Sequence, residues 1–503
     1  MKKIILLQIL ALSLLQCSSS NSEFSSSIYP AGLSITSPTV GQASNSNNNQ
    51  LIQLGNFDST QSFTAKRDAL ESLASGDSTC TFVFPSFVAP FPTPECYGPK
   101  LYYKNHPDGA DEAVEMGETF PYVPSGDVGI WEENENDQAC AAAKMNQEIG
   151  NVGQKVDASL LFIAGISCLI ETDGDLELPE AGDDLDLTET LASAIEENNP
   201  NITIDSATLE RLSDASDGFA VYQYNIEATD TSGREFMIYL THHPVNDDGS
   251  NYQGKLWSSY ETGNPTEFGT ANSYAFSLSY ERNEQNLLYR MLSTTYSRAT
   301  VTGSDMFDTS FDVDPTGCAG ANCWENFAQT IGNIDTDTGL GALSYGWQAG
   351  TDDADGSTKL ARIFNVYTEE VEDETRGYAF FGFGRGFNKT TGDIGTNSIN
   401  RFICNWAGPG NSHTGTEDRA QKQTMLFNES TGKFESDATN LEYAPKNSCN
   451  YDGSGTFGFT TDSSVNLNDV GNQSGMITNN LINLDTDEDF ANYTAPTLPS
   501  ENF

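Results

Sequence analysis

Ser273-Tyr274-Ala275-Phe276-Ser277-Leu278-Ser279-Tyr280 alternates with a period of two. Tyr274, Phe276, Leu278 and Tyr280 fall on one face of an extended chain; Ser273, Ala275, Ser277 and Ser279 fall on the other. Successive side chains of a strand point to opposite sides, so this octet reads as a strand with one apolar face and one small, polar face. The pattern recurs on both sides of it. Residues 285–296 follow after a short turn. Upstream, residues 219–226 run into Thr229-Asp230-Thr231-Ser232-Gly233 and then 235–241, the signature of a hairpin with a glycine-containing turn. Downstream come 360–368, 377–387, 400–406 and Thr424-Met425-Leu426-Phe427 with a turn over 428–433. This succession of hairpins predicts a large antiparallel β-sheet or sandwich over residues 201–465.

The period is different before residue 200. Residues 138–149 are rich in Ala, Met, Gln and Glu, all good helix formers. Residues 158–170 form an apolar run, too short to cross a bilayer, that reads as a buried helix. A third helix is expected over 187–197, with Thr188 as N-cap ahead of Leu191, Ala194 and Ile195. Residues 56–135 read as irregular, with a short helix over 64–74 and a strand at Thr79-Cys80-Thr81-Phe82-Val83-Phe84. The expected class is therefore α+β: a large antiparallel sheet with a small helical segment. Its regions are a mixed, helix-containing part over 56–200, the β-rich domain over 201–465, and a polar tail over 466–503, loosely draped or disordered.

Composition restricts the function classes. The 503 residues include 72 acidic and 24 basic side chains, a formal net charge of −48. Such a surface repels nucleic acid, which is held through Lys and Arg on its phosphates, and it repels anionic headgroups. Hydrophobic residues make up 37%, with 28 Phe and 20 Tyr, which suits a folded chain with an aromatic core.

Met1-Lys2-Lys3 is a short positive segment, and residues 4–15 are apolar except for Gln8 and Ser13. That is the length of a signal-peptide core and too short for a spanning helix. The run ends in Leu14-Leu15-Gln16-Cys17, which resembles the lipobox of bacterial lipoproteins in its relaxed, spirochaete-type form. Gln16 stands where that family favours Gly, Ala or Ser. The resemblance implies a signal peptide over 1–16, cleavage before Cys17, and diacylglyceryl and fatty-acyl (palmitate-like) groups on Cys17. Residues 17–55, rich in Ser and Asn, fit a flexible tether. Several acyl chains hold firmly, because each buried CH₂ contributes about 0.8 kcal/mol. By resemblance to the enterobacterial sorting rule, Ser18 after the cysteine implies the outer membrane. The expected location is the cell envelope, with membrane contact through the lipid.

Beyond Cys17 there are eight cysteines, an even number that suits disulfides in an exported chain. Nearness in sequence suggests Cys80 with Cys96, Cys140 with Cys168, Cys318 with Cys323, and Cys404 with Cys449; other connectivities stay open. No C-x-x-C pair or suitably spaced histidine supports zinc. Calcium is the metal to weigh, with Asp173, Asp175, Asp353 and Asp355 as candidate ligands and Asp335-Thr336-Asp337 as another fragment of such a loop. None matches a full calcium loop, and Asp and Gly are also turn residues, so no cofactor is expected.

His242 and His243 precede Pro244 and read as a surface turn, since no G-x-S-x-G nucleophile motif accompanies them. Residues 453–458 spell G-x-G-x-x-G, but in β-like surroundings without the helix that binds a pyrophosphate. Gly382-Phe383-Gly384-Arg385-Gly386 reads as a strand that bends. The leading expectation is a non-enzymatic binding or structural lipoprotein, its protein or small-molecule partner unknown. The alternative is a carrier with an apolar ligand inside the sheet. Third comes a hydrolase of envelope or host polymers, which needs two acids in one cleft.

Overall fold

A computed structural model describes residues 140–172, 176–196, 201–212, 220–231, 233, 235–245, 251–261, 273–297, 326–335, 337–349, 361–385, 397–405, 414–437, 448–451, 457–460, 476–477 and 481–500. The fold is the expected large antiparallel sheet with a small helical part. Helix α1 (Cys140–Thr172) comes first, then β1 (Asp184–Asp186), helix α2 (Thr188–Glu196), β2 (Ile202–Arg211), β3 (Tyr222–Asp230), β4 (Glu235–Pro244) and β5 (Tyr252–Glu261). The octet Ser273–Tyr280 lies in β6 (Ser273–Asn283), followed by β7 (Asn286–Ser297), β8 (Asn326–Asp335), β9 (Gly341–Ala349), β10 (Ala361–Val371), β11 (Glu374–Arg385), β12 (Ser398–Asn405) and β13 (Thr414–Glu417). From β1 to β13 the order in space is the order in sequence.

The meander then turns back. At Asp418, in the left-handed region with φ 57°, the chain reverses into β14 (Arg419–Asn428). This strand lies along β11 over 376–381, while β12 takes the other end of the same edge. A register shift at Phe383/Gly384 marks the bulge where β11 bends toward β12, as its glycines suggested. Strand β15 (Lys433–Ser436) and strand β19 (Leu481–Asn483) complete the edge beyond β14. A separate small sheet consists of β17 (Phe457–Thr460), β16 (Ser448–Tyr451) and β18 (Met476–Ile477). The G-x-G-x-x-G letters thus end in a strand.

The alternation in β6 becomes burial: Phe276, Leu278 and Tyr280 are fully buried on the inner face. The neighbouring strands supply Tyr224, Ile238, Leu240, Leu256, Tyr289, Leu343, Phe364 and Phe381 to the same core. Strands β5 and β8 have a weaker period because glycine takes inner positions. Gly254 stands opposite Tyr280, and Gly332 opposite Tyr289. A Cβ at either would fall inside the tyrosine ring. The hydroxyl end of each tyrosine lies over its glycine.

The inner face is covered by α1. The helix-forming stretch 138–149 and the apolar run 158–170, read as separate helices, fall in one helix of 33 residues. Gly150 and Gly153 weaken its middle by about 1 kcal/mol each relative to Ala, and burial of the whole helix overrides that local preference. Along its length α1 meets one strand after another. Asn146 Nδ2 donates to the Phe434 carbonyl at 2.8 Å, and Phe434 N donates to Asn146 Oδ1 at 2.9 Å, on β15. The Lys144 ammonium lies 3.9 Å from the Tyr345 ring centre on β9. Lys155 lies 4.8 Å from the Phe276 ring on β6, and Phe162 meets Tyr224 of β3 edge-on at 5.9 Å. The helix rises about 27 Å from Lys144 to Phe162, and the strands from β9 to β3 span about 29 Å. These lengths agree when the helix runs across the strands.

A single helix also removes one disulfide. Cys140 and Cys168 lie near opposite ends of α1, about 42 Å apart by helical rise. A disulfide needs Cα atoms within about 7 Å, so the Cys140–Cys168 pairing is corrected. Cys404 and Cys449 belong to β12 and β16, on sheets that touch where β17 lies against β12 and β13. Cys80, Cys96, Cys318 and Cys323 lie outside the described residues, as do Cys17 and its tether.

Much of the polar tail is packed rather than loose. Strand β19 pairs with β14, and a short helix α3 (Glu488–Asn492) follows. Phe490 and Tyr493 cover a second apolar cluster on the outer face, made by Ile363, Tyr367, Tyr378, Phe380, Ile399 and Ala420. Ser500 N then donates to Glu281 Oε2 at 2.7 Å, at the end of β6. Residues 481–500 thus form a strap across the strands on the outer face.

Candidate functional sites

Two places bring chemistry-bearing side chains together. The first is the buried face of α1. Lys144 and Glu148, one turn apart, are 3% and 4% exposed. Lys144 Nζ donates to Glu148 Oε1 at 2.6 Å and to Gln147 Oε1 at 2.9 Å, and Thr330 Oγ1 donates to Glu148 Oε2 at 2.9 Å. Burial pulls the Lys144 amine down, and Glu148 opposes that shift. Further along, Lys155 Nζ donates to Asn151 Oδ1 at 2.5 Å. Burial lowers Lys155 to about 7, with Glu148 again opposing. The Tyr289 hydroxyl is buried without a hydrogen-bond partner, and burial together with the Glu148 charge pushes its pKa well up.

An amine that is neutral near pH 7 is a nucleophile in the right setting. Lys155 is sealed by helix and sheet at 2% exposure, so the arrangement anchors α1 and holds charge in an apolar interior. The sequence carries no clear signal for it, since Lys and Glu at i,i+4 on a helix serve an exposed surface as readily as a buried one.

His242 and His243 are not in a surface turn. Both lie inside β4, at 2% and 3% exposure, because the strand continues to Pro244 before its hairpin closes. His242 Nδ1 is 3.3 Å from the Tyr280 hydroxyl, and its ring lies 5.4 Å from that of Tyr252. Burial, helped by His243, lowers His242 to about 3 and keeps it neutral. His242 belongs to the aromatic inner face, and His243, next along the strand, is buried on the opposite face.

The second place is the outer aromatic column. Tyr367 and Tyr378 are register partners on β10 and β11, stacked at 5.1 Å and 17°. Phe380 continues the stack at 6.4 Å and 12° from Tyr367. Lys422 stands opposite Phe380 on β14, 5.9 Å from the Tyr378 ring. The strap answers each element. Asp487 caps α3 through Phe490 N at 2.9 Å and accepts from Lys422 Nζ at 3.1 Å, and Asp489 is bound to the same ammonium. Phe490 stands edge-on to Phe380 at 5.2 Å. Burial raises the Tyr493 hydroxyl to about 12.

Among the described residues no three of His, Cys, Asp and Glu are gathered so as to hold a metal ion. Asp173, Asp175, Asp353 and Asp355 lie outside those residues. Asp335 serves a turn: its Oδ1 accepts from Asp337 N at 3.0 Å and Thr338 N at 2.8 Å between β8 and β9. No described helix is long and apolar enough to cross a membrane. No protein-family profile, curated protein or solved structure matches the chain.

Proposed function

We propose that this chain is a lipid-anchored protein of the cell envelope, held in the outer membrane by acyl groups on Cys17, with a non-enzymatic binding or structural role. One observation favours this role over a carrier: the inner face of the sheet, where a carrier would keep its ligand, is covered by α1 and built into one core with it. The interior carboxylate Glu148 is engaged by Lys144 and Thr330, which suits a structural group better than a general acid or base. The acidic surface supports a partner other than nucleic acid and membrane contact through lipid alone.

Native and denaturing mass spectrometry on protein extracted from its own membrane tests this. The denatured mass is expected to equal a chain starting at Cys17 plus acyl groups, with no small molecule leaving on denaturation. A chain that starts elsewhere without lipid overturns the anchoring. A small molecule released on denaturation overturns the binding or structural role in favour of the carrier.

A further inference from the structure

We infer that residues 481–500 are a clasp keyed by Lys422, which opens and closes as a unit on the outer face while the sheet beneath it stays folded. This motion is a property of the fold and stands apart from the role proposed above. When shut, the clasp links β14 to β6 across the intervening strands. At one end Leu484 N donates to the Asp418 carbonyl at 3.0 Å, and at the other Ser500 N reaches Glu281 Oε2. Strands β6 to β11 follow sequence order, so the clasp is a long-range tie on the outer face, as α1 is on the inner.

Its holds are few. Strand β19 contributes three register pairs with β14. Phe490 and Tyr493 are partly buried on the outer aromatic cluster, and Pro496 and Pro499 are buried beyond them. No residue of α3 is buried, so the middle of the clasp opens at much lower free energy than the sheet. Helix α3 has five residues, far short of the about 12 that an isolated helix needs in water. It therefore forms on docking and is lost on release, which makes shut and open two distinct states. Charge sets the balance between them. Residues 481–500 hold four acids, Asp485, Asp487, Glu488 and Asp489, and no base, in a chain of net charge −48. Closing brings like charges together, which is unfavourable. Lys422 opposes this. Its ammonium binds both Asp487 and Asp489 and lies 5.9 Å from the Tyr378 ring, so one side chain joins the clasp to the aromatic column. The three charged side chains are only 19%, 14% and 29% exposed, which shelters their charge-assisted bonds from water.

Hydrogen exchange read by mass spectrometry on the full chain tests this. In the wild type the amides of 484–493 are expected to exchange through a local opening, while those of β6 and β10 stay protected. Lys422→Met keeps the apolar stem and removes the charge. It should speed exchange over 484–493 by at least ~10-fold, the worth of one charge-assisted hydrogen bond, and leave β6 and β10 unchanged. Asp487→Asn with Asp489→Asn should do the same from the clasp side, without touching the sheet. Asparagine caps a helix as well as aspartate does, so α3 keeps its cap, and this variant decides the matter if Lys422→Met fails to fold. Unchanged exchange over 484–493 in a folded variant removes Lys422 as the key and overturns the proposal. Equal acceleration of clasp and sheet, or exchange of 484–493 only with global unfolding, shows that no separate motion exists and overturns it too.

Discussion

Lys155 is held in an apolar interior, where an amine is easier to keep neutral than charged. Its pKa is about 7 in the folded protein and 10.5 in the unfolded chain. Below pH 7 both states bind the proton, and the folded state carries the full desolvation penalty. Between pH 7 and 10.5 only the unfolded chain binds it, so this group makes stability rise with pH across that window. Lys155→Met should therefore stabilise the protein at pH 7 by on the order of 3 kcal/mol and flatten the pH dependence between 7 and 10. Urea unfolding at several pH values measures both effects; an unchanged slope with pH rules out the burial argument. Glycines opposite tyrosines make a second residue-scale case. Gly332→Ala puts a methyl group where the Tyr289 ring lies. The expected loss is about 2 kcal/mol, from a displaced core ring, read as a fall in melting temperature.

At the scale of elements, the hairpin between β10 and β11 shows how strand pairing overrides turn chemistry. Val371 pairs with Glu374, which leaves a two-residue loop, Glu372-Asp373, with φ of 53° and 66°. Both positions need the left-handed region, where Asn-Gly is favoured and glutamate is strained. Changing Glu372→Asn with Asp373→Gly should stabilise the protein by about 1 kcal/mol, seen as a higher denaturation midpoint. No change would mean that the loop relaxes at no cost. Helix α1 teaches the converse. Its two halves differ in composition, and glycine lies between them, yet contact with successive strands makes one element of both.

For the whole molecule, the crossing of α1 over the sheet joins distant strands into one cooperative unit. Its beginning is tied to β15 by Asn146 and its later part to β3 by Phe162. Asn146→Ala and Phe162→Ala should each lower the same single transition, by about 1 and about 3 kcal/mol. Circular dichroism and tryptophan fluorescence should report coincident melts in both variants. Two separated transitions would show that the sheet unfolds in parts and that α1 does not join them.

The sequence by itself determined the class of fold. Period-two alternation in 273–280 and in the hairpins around it specifies an antiparallel sheet, because a strand has only two faces and one of them must leave water. It also determined the acidic character, and it carries the lipobox-like Cys17 on which the anchoring proposal rests. Only the tertiary structure decided what fills the sheet and what covers it. A helix read in isolation cannot tell whether Lys144, Glu148 and Lys155 face water or a core, since the same spacing serves both. The burial of His242 depends on Tyr252 and Tyr280, which adjoin it only once β4, β5 and β6 are paired. The outer aromatic column arises in the same way: Tyr367, Tyr378 and Phe380 form a stack only because the register of β10 and β11 places them side by side, and the polar tail becomes a strap only because that stack and Lys422 are there to receive it.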